Sequence, residues 1–248
     1  RAMYKDYYEQ CKHTNSPAMR DPNPVIIIYP GVGMFAFAKD KQTARVASEF
    51  YVNAINVMKG AEAISEYTAL PRQEAFNIEY WLLEEAKLQR MPKPKPLTGK
   101  IALITGSAGG IGKAIAKKFA SEGAVVLLND LNTERLEHAA KEFADTFGPD
   151  TVRTAKMDVT NKAEIEEAFR VAALEFGGID IIVNNAGLSI SKSIEDHTQK
   201  DWSLLYAVLV EGQFLVTQAA TSMLKSQSVG GDIVNIVSKN ALVSGPNN

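Results

Sequence analysis

Cysteine, histidine and uninterrupted apolar sequence are all scarce in this chain of 248 residues. A single cysteine, Cys11, excludes an internal disulfide framework and fits a reducing, cytoplasmic setting. The three histidines, His13, His138 and His197, are spread along the sequence, whereas a catalytic zinc needs two or three that converge, so no metal is expected. No apolar run approaches the roughly 20 residues of a membrane span. The opening stretch RAMYKDYYEQCKHTNSP lacks the apolar centre of a signal peptide. Neither sign of charge dominates: the formal net charge is −2 with acids and bases interspersed, which gives no basis for nucleic-acid or membrane-surface binding. The first residue is arginine, which hints at a piece of a longer protein.

What is present suffices for a buried core: 46% of residues are hydrophobic, enough for one large domain or two small ones. The stretch MPKPKPLTGK at 91–100 alternates proline with lysine and forbids a continuous helix, so 91–99 reads as an extended linker. Before it, residues 1–90 show one strand signal, PVIIIY, then a glycine turn and helical stretches near 40–64 and 71–89. In the second, Phe76, Tyr80, Leu83 and Ala86 recur at helical spacing. One strand and a few helices read as the incomplete tail of an α/β domain. After the linker, residues 100–248 alternate apolar runs with helical ones. IALITG, AVVLLND, TVRTAKMD, IDIIVNNAG and DIVNIVS are the five predicted strands, the last centred on 233–237, and a long helix is predicted over about 200–225. Apolar strands alternating with helices describe an α/β fold, a doubly wound parallel sheet covered on both faces.

The segment ITGSAGGIGKAIA falls where the first of these strands turns into a helix, with Gly106, Gly110 and Gly112 following Thr105. An early glycine permits the sharp turn, and later ones let backbone approach a pyrophosphate at the helix start. Asp130 ends the next strand, 24 residues after Gly106. A carboxylate there accepts hydrogen bonds from ribose hydroxyls and repels a 2′-phosphate, favouring NAD over NADP. The alternative for Asp130 is a helix cap before LNTER. A second glycine cluster, YPGVGMFA, lacks the third glycine and the following helix, and reads as a turn.

Four motifs in order, 105–112, Asp130, MDVT and NNAG, resemble the short-chain dehydrogenase/reductase family. The resemblance implies an NAD site formed by Gly106, Ser107, Gly109, Gly110, Ile111 and Gly112 of the loop, with Asp130. Asp158 and Val159 would then flank the adenine, and Asn185, Ala186 and Gly187 line the cofactor. The whole chain also resembles bifunctional proteins that join a class II, rhamnulose-1-phosphate type aldolase to such a dehydrogenase, most clearly over SEYTALPRQEAFNIEYWLLEEAKLQRMPKPKPLTGK. Residues 1–90 would be the aldolase's C-terminal end. The implied chemistry is oxidation of lactaldehyde released by the aldolase, in a protein that is a homo-oligomer at full length. Aldolase activity of the N-terminal half, or nucleotide binding without turnover, are the alternative functions.

In that family a serine polarises the substrate oxygen, and the tyrosine of a Tyr-x-x-x-Lys pair moves the proton. Free tyrosine has a pKa of about 10, so lowering it by about 3 units needs about 4 kcal/mol from neighbouring positive charge. Ser238 stands where the family's serine stands, at the end of the fifth strand, and the catalytic tyrosine is expected just past Asn248. The Tyr-x-x-x-Lys that the chain does contain, Tyr8 and Lys12, precedes the glycine loop and reads as a chance match. Leu209 occupies the place of an asparagine that the family uses in a water relay.

Overall fold

Leu103 and Ile104 are adjacent, wholly buried, and belong to opposite sides of one sheet. That period of two, repeated on each strand, organises the C-terminal of the two units into which the chain divides, Arg1–Pro94 and Lys95–Asn248. The structure is a computed structural model, and it describes residues 1–239 together with 242 and 243.

The N-terminal unit runs α1 (Ala2–Cys11), β1 (Ile26–Tyr29), β2 (Gly33–Ala36), α2 (Lys41–Ile64), α3 (Arg72–Glu79) and α4 (Leu82–Gln89). β1 and β2 form an antiparallel hairpin, so the second glycine cluster is a turn. Val32 N–H donates to Tyr29 O across Pro30 and Gly31, and Gly31 takes a φ of 78° that only glycine adopts freely. β2 was not among the predicted elements, because two glycines break its apolar pattern. The helix predicted over 71–89 is two helices parted at Tyr80 and Trp81, and Leu83 is exposed. The buried cluster here is small and aromatic: Tyr8, Cys11, Phe76 and Tyr80, with Phe76 stacked on Tyr80 at 4.5 Å. Tyr4 donates to Glu79 Oε1 at 2.5 Å and shares a hydrogen bond with Tyr80 Oη. Partial burial, and then the Glu79 carboxylate, push the Tyr4 hydroxyl well above the usual tyrosine range.

The C-terminal unit contains β3 (Ile101–Ile104), α5 (Gly110–Ser121), β4 (Val125–Asp130), α6 (Thr133–Phe147), β5 (Val152–Lys156), α7 (Lys162–Phe176) and β6 (Ile181–Asn184). α8 (Gln199–Tyr206), α9 (Gln213–Gln227) and β7 (Asp232–Asn235) follow. The strands pair in the order β5-β4-β3-β6-β7, all parallel. On one face α5 and α6 bury Ala116, Ala120, Leu136, Ala139 and Phe143 against Ile104, Val126 and Leu128. On the other, α7 and α9 bury Ile165, Ala168, Phe169, Ala172, Val216 and Ala220 against Leu103, Leu127 and Ile182. The chain builds outward from β3 to β5 and then returns to the other side of β3 with β6, so the strand order reverses between β3 and β6. In open sheets of this kind, ligands bind outside the carboxyl ends of the strands at such a reversal.

Two expectations change. The fifth strand ends at Asn235, with only the Ile236 N–H continuing to Asn184 O, and Val237 is largely exposed. The helix predicted over 200–225 is interrupted by a π-helical stretch, Ala207–Gly212, joining α8 to α9. Taken together, Gln199–Gln227 is long and apolar enough to cross a membrane by length and composition alone, a test that the core helix of a globular protein also passes. In the fold its Val216 and Ala220 pack into the sheet core.

Candidate active site

Three loops leave the carboxyl ends of β3, β4 and β6, and a web of hydrogen bonds ties them together. Thr105, nearly wholly buried at the end of β3, is its centre. Its Oγ1 accepts from the Asn185 and Ala186 N–H groups at 2.9 and 2.8 Å. The Asn185 amide returns the contact, donating to the carbonyls of Thr105 (2.9 Å) and Gly106 (3.2 Å). Ser107, fully buried, exchanges bonds with the Asn129 backbone: its N–H donates to Asn129 O, and its Oγ accepts from Asn129 N at 2.8 Å. Asn129 in turn donates its side-chain amide to Ala155 O on β5. The loop is thereby held on both sides of the strand reversal.

The glycines explain how closely this packs. Gly106 turns at φ 64°, and a Cβ there would lie 3.0 Å from Ala186 Cα. A Cβ on Gly112 would lie 2.5 Å from Asn185 Nδ2 and closer still to the Gly106 carbonyl oxygen, both fixed by the web. Gly110 has a φ of 55° and nothing within 4 Å of its missing Cβ, so the space on that side of the loop is open. No side chain caps α5, whereas Asn132, Asn161 and Thr198 cap α6, α7 and α8. The first N–H groups of a helix have no intrahelical acceptor and carry partial positive charge. A helix start without a side-chain cap fits a phosphate group.

Asp130 does not cap α6; Asn132 does, accepting from Arg135 N at 2.9 Å. The Asp130 carboxylate accepts instead from Ala108 N (3.2 Å) and Asn132 N (3.1 Å), which sets it beside the glycine loop. Asp158 accepts both the N–H and the hydroxyl of Thr160, and Val159 is buried where a Cβ on Gly212 would strike it. Asn161 caps α7, accepting from the Ala163 and Glu164 N–H groups, while the Glu164 carboxylate takes the Asp158 N–H, and that bond, with Lys156 second, holds its carboxyl below the usual range. Ile111 and Gly187 are exposed, while Asn185 and Ala186 are half-buried.

Ser238 is exposed and lies three positions after Asn235, as Gly187 does after the paired Asn184, so both leave the sheet at the same edge. Leu209 sits in the π stretch with its Cδ2 3.2 Å from where a Cβ on Gly187 would be. It covers Gly187 with apolar surface where the family resemblance calls for a polar amide. Tyr8 donates to Pro17 O at 2.7 Å and Lys12 pairs with Glu9, so this tyrosine–lysine pair is engaged within the N-terminal unit. His13 bonds to Asn77 at 3.1 Å. Among the described residues no three His, Cys, Asp or Glu side chains converge. The sequence reading overlooked Thr105, Asn129 and Arg135 as site-building residues. Thr105 and Asn129 were visible as polar residues inside or ending apolar strands, a signal of buried hydrogen bonding.

A parallel sheet with this reversal, glycine loop and strand-end carboxylate defines a dinucleotide-binding α/β domain. Residues 100–248 match the family model "short chain dehydrogenase", and residues 1–88 match "Aldolase class II, second domain". The chain belongs to the short-chain dehydrogenase family, joined here to an aldolase class II second domain. The Bacillus subtilis protein named "Uncharacterized oxidoreductase YuxG" is 42% identical over 224 residues, which is 90% of this chain and 32% of that protein. The "NADP-dependent (R)-specific alcohol dehydrogenase" of Lentilactobacillus kefiri is 36% identical over 150 residues, 60% of this chain and 58% of its own length. A crystal structure of a short chain dehydrogenase from Bacillus anthracis superposes with a TM-score of 0.57 at 32% identity, covering 60% of this chain and 61% of that one. The chain thus spans about a third of the B. subtilis relative and under two thirds of the other two.

Proposed function

We propose that the C-terminal unit is the nicotinamide-dinucleotide module of an oxidoreductase, in a protein that also carries aldolase chemistry. The observation that carries this reading is the start of α5, which no side chain caps and which is braced from β6 through Thr105 and Asn185. The N–H groups of that helix start would hold the pyrophosphate, and Asp130 would accept from the adenosine ribose, which favours NAD. Asp158 and Val159 would bound the adenine, and Asn185, Ala186 and Gly187 the nicotinamide side. When bound, the dinucleotide supplies a hydride acceptor or donor. Ser238 would donate its hydroxyl hydrogen bond to the substrate oxygen. The substrate would be a small hydroxy or carbonyl compound, lactaldehyde if the narrower resemblance holds. The setting would be the cytoplasm, and the full-length protein a homo-oligomer.

Between Lys95 and Asn248 the sequence holds no Tyr-x-x-x-Lys. We therefore expect residues 1–248 to bind NADH saturably, seen as enhanced nicotinamide fluorescence, and to show no NAD-dependent oxidation of small hydroxy compounds. Absence of saturable NADH binding would sink the reading.

A further inference from the structure

Helix α2 rests on the β1–β2 hairpin, and it carries one stripe of side chains more than that contact uses. Ala44, Ser48, Tyr51, Ile55 and Met58 are half-buried and recur every three or four residues, as a packed helix face does. Beside them runs a second stripe at the same spacing: Ala47, Phe50, Ala54, Val57, Ala61 and Ile64. Phe50 is 72% exposed, Val57 60% and Ile64 91%, so large apolar groups on this stripe lie uncovered. A helix apolar on two neighbouring faces suits two partners, and the hairpin is one of them.

The order of residues along the second stripe says what the other partner is. Its alternation of three and four is the heptad of paired helices, with Ala47, Ala54 and Ala61 at position a and Phe50, Val57 and Ile64 at position d. Each a is alanine and each d is larger. Two such helices lying parallel would set a against a and d against d, so gaps would alternate with crowded layers. Turning one helix round sets a against d. Ala47 of one copy then faces Ile64 of the other, Ala54 faces Val57 and Ala61 faces Phe50, and the two-fold makes each pairing twice. Every layer joins a small side chain to a larger one. The charges agree: Lys41, Arg45, Glu49, Lys59 and Glu62, the charged residues of α2, all fall at positions b, c and f. Positions e and g, which flank the seam, hold no charge, so a two-fold pair brings no like charges together there. The 24 residues of α2 span about 36 Å, and a pair of that length buries on the order of 1,000 Å², the size a specific interface needs.

We propose that the exposed stripe of α2 is an interface for a second copy of this chain, formed by antiparallel pairing of the two α2 helices from Ala47 to Ile64. The inference rests on the homo-oligomer reading above and supplies its surface. It is independent of the dinucleotide site, since α2 belongs to the N-terminal unit.

The test follows the mass of residues 1–248 by sedimentation equilibrium over a range of concentrations, for wild type and for Val57→Lys. Val57 is exposed and lysine is a good helix former, so the variant keeps its helix, which circular dichroism checks. Wild type is expected to show a monomer–dimer equilibrium. Val57→Lys should raise the dissociation constant about a hundredfold, because two unpaired charges enter one seam. Disulfide formation reads the orientation, with wild type, whose single Cys11 is buried, as the background. Chains carrying Ala47→Cys should cross-link to chains carrying Ile64→Cys. Neither should cross-link alone, because like positions lie about 25 Å apart in the antiparallel pair, well beyond disulfide reach. A monomeric wild type, or cross-linking of Ala47→Cys with itself, would overturn the inference. A dimer that Val57→Lys does not weaken would overturn the α2 surface and leave the homo-oligomer standing.

Discussion

Thr105 shows how much of the site rests on single atoms. Its hydroxyl oxygen takes two backbone N–H groups from the β6 loop, and its own side chain is nearly wholly buried. Thr105→Val preserves shape and strands both donors, which should cost about 1–3 kcal/mol. The loss is checked by chemical denaturation, and NADH affinity should fall with it because Asn185 and Ala186 lose their positions. Gly112 is a steric counterpart. A methyl there meets backbone and the Asn185 amide, neither of which can swing away, so Gly112→Ala should destabilise by about 1–3 kcal/mol and weaken NADH binding. A thermal midpoint equal to wild type would contradict the close approach. Gly106, Gly112 and Asp130 were legible in the sequence because a glycine-rich turn from strand into helix, followed by an acid at the end of the next strand, has a recognisable spacing. Arg135 was not, since nothing in its local sequence says that its side chain turns back over Gly109.

Among the elements, the start of α8 offers the clearest pH dependence. Thr198 and Asp201 form a capping box, and Asp201 also pairs with Lys192 at 2.7 Å. The Lys192 contact, followed by the Thr198 hydrogen bonds, holds the Asp201 carboxyl far below the usual range. A depressed carboxylate contributes stability that is present above its unfolded value, about 3.9, and is lost as pH falls through the folded value. Asp201→Asn should therefore lower the thermal midpoint at pH 7, and the gap to wild type should close as pH falls well below 4. A gap independent of pH would mean that the carboxylate's charge plays no part. The helices α5, α6 and α7 were readable from the alternation of helical and apolar runs after the linker, as were the strands before them. The π stretch was not, because i-to-i+5 hydrogen bonding leaves no composition signature; Leu209 and Gly212 within it approach Gly187 and Val159 closely.

At the level of the whole molecule, two units meet inside a proline-rich stretch. Met91 to Pro94 lie outside any element, whereas Lys95 and Leu97 already bond to Ser121 and Glu122 of the C-terminal unit. Lysine followed by proline resists trypsin, so the first cut under limiting protease should follow Arg90. The fragment beginning at Met91 should keep NADH affinity within about twofold, because every residue of the proposed site lies beyond the cut. A fragment that loses binding would show that the N-terminal unit helps to form the site.

By itself, the sequence determined the alternation of apolar strands and helices, the proline boundary and the ordered strand-end motifs, because each is set by local spacing and backbone permission. Only the tertiary structure decided how these meet. It placed β6 beside β3, so that a threonine and an asparagine 80 positions apart share hydrogen bonds. It gave the capping of α6 to Asn132 and left Asp130 to the loop, and it set a guanidinium against Gly109. Contacts of that kind depend on the path of the chain through space, which no short stretch of sequence encodes.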